Sequence, residues 1–263
     1  MKVLVIGDIV GSPGRTAAGY FVPKLKKEKN IDLVIANGEN AAGGSGLTPR
    51  IVEELLTSGI NVITSGDHIW KKREILEIID TEERLLRPAN YPEGAPGKGY
   101  VILNTKDNIK VAVINIIGRI FMKPLESPFY TVRSFLNEIK KETSIIIVDF
   151  HAEATSEKIA LGWFLDGKVS LVVGTHTHIQ TADERILPEG TAYITDIGMT
   201  GAVDSVLGRR VDRVLEHFLT GMPARFGMAK ENVQLQGVIV DIDENSGRAC
   251  AIERIKLRLD EDR

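Results

Sequence analysis

The sequence is organised around the stretch Gly174-Thr175-His176-Thr177-His178. It follows the run Val169-Ser170-Leu171-Val172-Val173, which is typical of a buried strand. Two histidines separated by one residue would point to opposite faces of a regular strand, so both can reach one metal only where the backbone is irregular. A glycine directly before them permits such a departure. On this pair alone, a metal site and an ordinary polar surface loop remain equally open.

Similar residue types follow several other apolar runs. His68 comes after the run at 62–66, and His151 comes after the β-branched run at 145–149. Four of the five histidines therefore lie just past a stretch typical of a strand. The polar residues that share this position are Asp8, Glu39, Asn40, His68, His151, His176 and His178.

The spacing of these runs predicts an α/β fold. Apolar runs bounded by glycine and separated by helical segments are typical of parallel strands covered on both faces. In such sheets, ligands bind beyond the carboxyl ends of the strands. Five strand ends deliver Asp, Glu, Asn or His. We therefore expect these ends to form one edge of one sheet and to share a metal site.

Local patterns predict the individual elements. Strands are predicted at 2–7, 32–37, 60–65, 144–150, 169–174 and 191–195. Helices are predicted after the loop 11–15, between Thr48 and Gly59, and at 71–79, 130–142, 155–166 and 209–220. Hairpins are predicted at 100–105 with 110–117 and at 232–242 with 248–258, and 197–208 is predicted to be a loop. The first hairpin indicates a change from βαβ units to antiparallel pairing. We expect a second sheet packed on the first, so we predict a single domain over 1–263.

The composition is that of a globular protein with a substantial core. Of the 263 residues, 43% are hydrophobic, which suits one large α/β domain. The single cysteine, Cys250, excludes an internal disulfide and fits a reducing compartment. The chain enters a strand directly at Met1 without a signal-peptide cleavage site, and no apolar run approaches about 20 residues. We therefore expect a cytoplasmic protein that does not contact a membrane.

The charge of the chain limits its partners. A net charge of −3 argues against electrostatic binding of long nucleic acid over a broad surface. It does not argue against a short nucleic acid. It also leaves open a local positive site created by bound metal ions.

The polar residues occur in an order that resembles a known family. In sequence order the motifs are Asp8, Gly38-Glu39-Asn40, Gly66-Asp67-His68, His151 and Gly174-Thr175-His176-Thr177-His178. This order resembles the calcineurin-like metallophosphoesterases. The YmdB-like bacterial subfamily is similar over nearly the whole chain, including the segments 7–11, 87–92 and 196–201. Each motif alone is weak, but the ordered set is specific.

The resemblance implies a fold, a cofactor and an activity. The fold is a four-layer α/β/β/α sandwich of the metallophosphoesterase type. The cofactor is a dinuclear metal centre. The activity is that of a phosphodiesterase, notably on 2′,3′- or 3′,5′-cyclic nucleotides, so the expected partner is a small phosphodiester.

The resemblance also implies roles for individual positions. The implied ligands of one metal are Asp8, Glu39 and His178, with Asn40 close to it. The implied ligands of the second metal are Glu39 as a bridge, Asp67, His151 and His176. His68 is the implied catalytic acid.

Several positions depart from the broad family. Val10 stands where the family has a histidine ligand, which Asn40 could partly replace, and Glu39 stands where it has a bridging aspartate. Both departures are shared by the YmdB-like subfamily. Ile69 replaces the acid that usually follows the catalytic histidine. Asp67 occupies the position of an asparagine and departs even from the subfamily, which changes the charge of the implied site.

Phosphodiester hydrolysis explains why such residues would be needed. A phosphodiester is an anion that water attacks poorly. Two metal ions about 3.5–4 Å apart can hold the phosphoryl oxygens and generate hydroxide at neutral pH. A mixed carboxylate and imidazole set suits Fe, Mn, Zn or Ni. We expect two metal ions, Fe or Mn first, with Zn, Ni or Mg as alternatives.

Two further residues have candidate roles in the reaction. His68 lies beside a ligand without being needed as one, so it could supply a proton to the leaving alkoxide. The alternative for His68 is a hydrogen bond that supports the ligands. Arg119, in the loop 118–129, could bind the phosphate through its fork of donors. The alternative for Arg119 is an ordinary exposed arginine.

Three other classes of function compete with a phosphodiesterase. The first is a phosphomonoesterase or protein phosphatase, and the second is a nuclease that acts on short RNA. The third is a non-catalytic regulatory interaction module that keeps the fold. The clustered metal-binding residue types argue against the third class, because a scaffold has no need of them. A homo-oligomer remains open.

Overall fold

Two β-sheets lie face to face in the computed structural model of the protein, which describes residues 1–259. The strands are β1 (Lys2–Ile6), β2 (Asp8–Ile9), β3 (Leu33–Asn37), β4 (Val62–Thr64), β5 (Tyr100–Asn104), β6 (Lys110–Ile117), β7 (Ile146–His151), β8 (Leu171–Thr175), β9 (Arg185–Ile186), β10 (Ala192–Ile194), β11 (Met199–Ala202), β12 (Val233–Ile242) and β13 (Ala249–Arg258). The α-helices are α1 (Gly11–Glu28), α2 (Pro49–Thr57), α3 (Pro128–Glu142), α4 (Thr155–Leu165) and α5 (Val211–Thr220). In this described part of the chain, no helix is both long and apolar enough to cross a bilayer.

The two sheets combine parallel and antiparallel strands. The first has the order β2-β11-β12-β1-β3-β4, and β13 pairs with β12. Within it, β1, β3 and β4 are parallel, while β12 runs antiparallel to β1. The second has the order β5-β6-β7-β8-β10-β9, with a parallel centre and antiparallel edges. The predicted hairpins β5-β6 and β12-β13 are both confirmed.

Alternating side chains build the layers. Val3 and Val5 of β1 face the second sheet and pack in one cluster with Ile147 and Val173. Leu4 of β1 lies on the opposite face, among the residues of α1 and α2. Helices α3 and α4 cover the outer face of the second sheet. Complete burial of one such aliphatic side chain stabilises the folded state by about 1.5–3 kcal/mol relative to leaving it exposed. The predicted α/β/β/α sandwich is therefore confirmed.

Three local predictions differ from the structure. The predicted helix 71–79 is shortened to a 3₁₀ helix at Arg73–Glu77, although Ile75 and Ile79 are buried in the core as the prediction requires. Helix α1 begins at Gly11, inside the predicted loop 11–15, and continues through Pro23. The predicted loop 197–208 contains β11, which pairs with β12 and β2. Its Gly- and Thr-rich sequence lacks an alternating pattern, so its pairing follows from tertiary contacts.

The prediction that the polar strand ends belong to one sheet is wrong. Strands β1, β3 and β4 belong to the first sheet, whereas β7 and β8 belong to the second. The hairpin β5-β6 starts the second sheet and so separates the two groups. Apolar periodicity identifies a strand but not the sheet that it joins. The carboxyl ends of both groups nevertheless meet at the same edge of the sandwich, where the candidate site lies.

Candidate metal centre

Most of the polar residues identified from the sequence meet at this edge of the sandwich. Glu39 and Asn40 follow β3, His151 ends β7, and Asp8 starts the short strand β2. The residues that hydrogen bonds and short polar contacts join into one cluster are Asp8, Glu39, Asn40, Asp67, His68, His151, His176 and His178. Both sheets contribute to the cluster, so stacking of the sheets is what brings it together.

Four residues form a compact donor set. Glu39, Asp67, His151 and His176 each offer one ligand atom, and all four atoms lie within 4.8 Å of one another. His151 Nε2 lies 3.3 Å from Glu39 Oε1 and 3.6 Å from Asp67 Oδ1. His176 Nδ1 lies 3.0 Å from the same nitrogen of His151. Two carboxylates and two imidazoles therefore converge on a space that one cation could fill.

A second donor set adjoins the first. His178 Nε2 lies 3.7 Å from Asp8 Oδ1 and 3.3 Å from Asn40 Nδ2. Asn40 Nδ2 in turn lies 3.2 Å from Glu39 Oε1. Glu39 thus lies between the two sets, and the arrangement forms a possible dinuclear site.

Unpartnered buried atoms show that the site fits cations. Asp8 Oδ1 and Asp67 Oδ1 are buried, and neither accepts a hydrogen bond within the described residues. A buried carboxylate oxygen without a partner is costly, and a bound cation would satisfy it. Gly66 keeps the space open, because a side chain there would collide with the His151 ring and with Glu39. The residues present therefore suit metal ions held by oxygen and nitrogen ligands.

The loop 176–178 has the irregular backbone that the histidine pair requires. His176 has φ +98° and His178 has φ +64°, both in the left-handed region. The expectation that Gly174 permits this departure is wrong, because Gly174 lies inside β8 and has no positive φ. Its role is close packing, since a Cβ there would collide with the carbonyl oxygen of Thr195.

A buried ion pair holds this strained loop. Lys158 Nζ lies 2.7 Å from Asp196 Oδ2, and both side chains are 1% exposed. Thr177, between the two histidines, donates to the same oxygen from its backbone nitrogen at 3.1 Å and from its hydroxyl at 2.7 Å. Removing one partner of such a buried pair is strongly destabilising, so the pair is a firm anchor for the backbone on which both histidines depend.

Supporting hydrogen bonds orient the histidine rings. Thr175 donates its hydroxyl to Asp149 Oδ1 at 2.8 Å, so its oxygen accepts from His151 Nδ1 at 3.0 Å. His151 therefore presents Nε2 to the cluster. Glu153 Oε2 lies 3.0 Å from His176 Nε2, which leaves Nδ1 for the cluster. Carboxylates behind ligating histidines fix their tautomers. The sequence did not reveal Asp149 or Glu153 as supporting residues, although Glu153 stands only two residues after His151.

The protonation states of the cluster are uneven. Burial lowers the pKa of His176 and of His178 to about 4, so both rings are neutral near pH 7. Burial would also lower the pKa of His151, but the charge of Glu39 and the close contacts of the ring with Asp67 and Glu39 raise it well above its usual value. Burial raises the pKa of Asp8 to about 7. A cation must therefore displace protons from His151 and Asp8.

Metal binding is accordingly expected to release protons and to weaken as the pH falls. Groups with raised pKa values keep their protons at lower pH, where they compete with the metal, and lose them as the pH rises. Mn²⁺ titrations by calorimetry, in buffers with different ionisation enthalpies between about pH 6 and pH 8, measure the proton count. Bound metal and activity should decline together in the acidic range. An affinity that is independent of both pH and buffer would contradict these protonation states.

His68 is held by one ring nitrogen and leaves the other available. Its Nδ1 lies 2.8 Å from Asn40 Oδ1, and its backbone N–H donates to Glu39 Oε2 at 3.1 Å. An amide oxygen only accepts, so Nδ1 carries a proton. The nearest acid to Nε2 is Asp67, at 3.8 Å. The contact of ring Nδ1 with Glu39 Oε1 at 3.4 Å, with the nearby negative charges, raises the pKa of His68, so the ring can hold a second proton on Nε2.

Arg119 lies outside the cluster. It is exposed, and its backbone N–H donates to Glu157 Oε1 at 3.1 Å. Within residues 1–259, no hydrogen bond or ion pair joins its guanidinium to the clustered residues. Its role in substrate binding stays a prediction. His217, on α5, contacts the carbonyl oxygen of Met222 at 2.7 Å and takes no part in the cluster.

Known proteins share this sequence and fold. A model of the YmdB-like protein family matches residues 4–255. A 2′,3′-cyclic-nucleotide 2′-phosphodiesterase of Bacillus subtilis (strain 168) is 52% identical over 262 residues, covering 99% of this chain and 98% of that protein. The crystal structure of a hypothetical protein from Thermus thermophilus has a TM-score of 0.92 at 40% identity, covering 98% of this chain and 99% of that one.

A second crystal structure, of a novel phosphatase from Mycoplasma pneumoniae, has a TM-score of 0.91 at 34% identity and covers 98% of this chain and 93% of that one. The matched range therefore spans both sheets and the positions of the donor cluster. The subfamily predicted from the ordered motifs is confirmed: the chain belongs to the YmdB-like protein family.

Proposed function

We propose that the protein is a dinuclear-metal phosphodiesterase that hydrolyses cyclic nucleotides, with nucleoside 2′,3′-cyclic phosphates as the first candidates. The observation that carries the proposal is the convergence of two donor sets that share Glu39. The Bacillus subtilis relative, named for 2′,3′-cyclic nucleotides, supports this substrate class. Because both sheets contribute donors, we also propose that 1–263 act as one metallophosphoesterase domain.

The proposed ligand sets follow the geometry. The first ion would be held by Asp8, Glu39 and His178, with Asn40 nearby. The second ion would be held by Glu39, Asp67, His151 and His176. Mixed oxygen and nitrogen donors suit Fe or Mn first, and Zn, Ni or Mg next.

The reaction breaks the bond between phosphorus and the ribose 2′ oxygen. When bound, the two ions would neutralise the phosphoryl oxygens and supply hydroxide near neutral pH. The oxygen of one water adds to phosphorus, and the 2′ oxygen leaves with a proton. His68 is placed to give that proton from Nε2, because Asn40 holds its other nitrogen. Loss of the 2′ bond leaves a 3′-phosphate on the product.

The alternative functions differ in what they would need from the site. A phosphomonoesterase or protein phosphatase would use the same ions on a monoester. A nuclease for short RNA would need contacts beyond one nucleotide. A regulatory interaction module would not need unpartnered buried carboxylate oxygens at Asp8 and Asp67.

A substrate panel with defined metals tests the proposal. Protein loaded with Mn²⁺ or Fe²⁺ is assayed on adenosine 2′,3′-cyclic phosphate, adenosine 3′,5′-cyclic phosphate, a nucleoside monophosphate and a short RNA. We expect the 2′,3′-cyclic substrate to be hydrolysed fastest, with adenosine 3′-monophosphate as the product in chromatography. Faster release of phosphate from the monoester would favour a phosphatase instead. If protein with two ions bound turns over none of these substrates, the proposal is wrong.

Asp67→Asn is expected to loosen the second ion without abolishing activity. With Asp8, Glu39 and Asp67 ionised, three negative charges face two divalent ions. Asparagine at position 67 removes one of these negative charges. Affinity for the second ion should fall roughly tenfold, a typical scale for changes around a metal site. Turnover at saturating metal should be equal or higher, because a less neutralised ion is the stronger Lewis acid. Metal titrations of activity on both proteins measure this. Tighter binding in the variant would refute the charge argument.

A further inference from the structure

A groove of about 300 Å³ borders the donor cluster at His178. Its other walls come from the segment 179–180, from residues 199–207 and from strands β12 and β13. Its volume is at the small end of ligand pockets, about 300–1,000 Å³, which suits a single nucleoside. The proposed metal centre uses only His178 of these lining residues, so the groove has no role in holding the ions.

Exposed apolar side chains line this groove. Ile179 is 64% exposed and Leu207 is 45% exposed, and the side chains of Met199 and Val203 complete the apolar part. Large apolar groups left in water beside a polar reactive centre mark a surface that binds a ligand. The flat face of a nucleobase is the apolar part of the proposed substrate.

The backbone at Leu207, which lines the groove, has a strained conformation. Leu207 has φ +51°, a region that leucine rarely adopts. The turn around it is closed by backbone hydrogen bonds in both directions between Val206 and Arg209, each 2.9 Å long. Ser205 Oγ also accepts from the Gly208 N–H at 2.8 Å. Strained residues that their surroundings hold in place are concentrated at ligand sites.

The rim of the groove is positively charged. Arg254 is paired with Glu184 at 2.6 Å. Lys256 is exposed and has no ion-pair partner in residues 1–259. One uncompensated cation beside a metal centre complements an anionic ligand. The rim therefore suits a nucleotide better than an uncharged molecule.

A larger cavity of about 750 Å³ lies elsewhere, lined by Tyr91, Tyr100 and Phe135 among others. None of the clustered donor residues lines that cavity. A group attached to the phosphate that reacts at the ions must lie next to a donor residue. The groove at His178 meets this condition, and the larger cavity does not.

We propose that the groove at His178 holds the nucleoside part of the substrate, with the base packed against Leu207 and Ile179 and with Lys256 attracting the anion. The proposal rests on the proposed function and specifies its substrate class. The enzyme would then select nucleoside cyclic phosphates over small cyclic phosphodiesters that have no base.

Leu207→Asn tests the apolar wall, because asparagine removes the apolar side chain and tolerates the left-handed backbone. The rates on adenosine 2′,3′-cyclic phosphate and on ethylene phosphate, a cyclic phosphodiester without a nucleoside, are compared. We expect the ratio of the two kcat/KM values to fall about tenfold, the scale of a lost apolar contact in a pocket. Leu219→Asn, at a leucine that is 84% exposed on α5 and outside the groove, is the matched control and should keep the ratio.

Binding gives a second readout that does not need turnover. Calorimetry with adenosine 3′-monophosphate should show weaker binding to Leu207→Asn than to Leu219→Asn. Lys256→Gln should weaken binding and reduce its salt dependence, because one cation is lost from the rim. An unchanged rate ratio together with unchanged nucleotide binding in Leu207→Asn would overturn the proposal.

The two proposals fail in different ways. If wild-type protein with two ions hydrolyses neither cyclic phosphodiester, the proposed function is wrong, and the binding experiment still decides whether the groove holds a nucleotide. If wild-type protein hydrolyses both substrates and Leu207→Asn changes neither the rate ratio nor nucleotide binding, the function stands and the groove assignment is wrong.

Discussion

Glu39→Gln is expected to lower phosphodiesterase turnover by about a thousandfold or more and to reduce the bound metal to less than one ion per chain. Glu39 contacts members of both donor sets, through His151 at 3.3 Å and through Asn40 at 3.2 Å. Glutamine keeps the shape of the side chain but offers one neutral amide oxygen in place of the two oxygens of a negatively charged carboxylate. Lewis-acid stabilisation is worth several kcal/mol, and each 1.36 kcal/mol is about tenfold in rate.

The same substitution removes a charge that other residues depend on. Glu39 Oε2 accepts the backbone N–H of His68, and the charge of Glu39 raises the pKa of His151. In the variant, the pKa of His151 should therefore fall towards its usual value.

Metal content by elemental analysis and turnover on adenosine 2′,3′-cyclic phosphate measure the effect of Glu39→Gln. Glu157→Gln is the matched control, because Glu157 is a buried glutamate outside the donor sets that binds the backbone of Arg119. The control should keep both ions. Two tightly bound ions in Glu39→Gln, with turnover above about a tenth of the wild-type rate, would show that Glu39 does not join the two sites.

His68→Ala is expected to lower turnover on cyclic nucleotides by about 10²–10⁴-fold while both ions stay bound. The ring contributes no atom to the compact donor set, and its Nδ1 is engaged by Asn40. What the variant loses is a proton donor for the ribose oxygen, which is a poor leaving group. A nitrophenyl phosphodiester hardly needs that proton, so its hydrolysis should be slowed much less.

The pH dependence gives an independent readout of His68. Its pKa is raised by the contact of its ring with the Glu39 carboxylate, so the ring is protonated below that pKa and loses its proton above it. The wild-type rate on cyclic nucleotides should therefore fall as the pH rises through this pKa, and the variant should lack this decline. His217→Ala, at a histidine on α5 outside the cluster, should behave like the wild type. Equal losses on both classes of substrate, or loss of metal, would assign His68 a structural role.

The residues of the site and their order could be read from the sequence. Asp8, Glu39, His151 and the pair His176 and His178 each follow a short apolar run, and a strand followed by a polar residue is a local pattern. The hairpins were predictable for the same reason, since alternation and turn residues are local. These features depend on neighbours in the chain, so the sequence alone determines them.

The assignment of strands to sheets depended on the tertiary structure. Strands β1, β3 and β4 lie in one sheet and β7 and β8 in the other, although all five have similar patterns. A strand buried on both faces shows the same apolar run whichever sheet it joins. The contact between His151 and Glu39 therefore comes from the stacking of two sheets, which no local pattern encodes.

The orientation of the site residues also depended on the tertiary structure. The left-handed backbone at His176 and His178 is held by Asp196 and Lys158, which are distant from it along the chain. The ring of His151 is oriented by Thr175, which lies in the next strand, β8. Sequence determined which side chains reach this edge of the sandwich. Only the packed structure decided where their atoms point, because the forces that orient a buried polar group come from residues distant in the sequence.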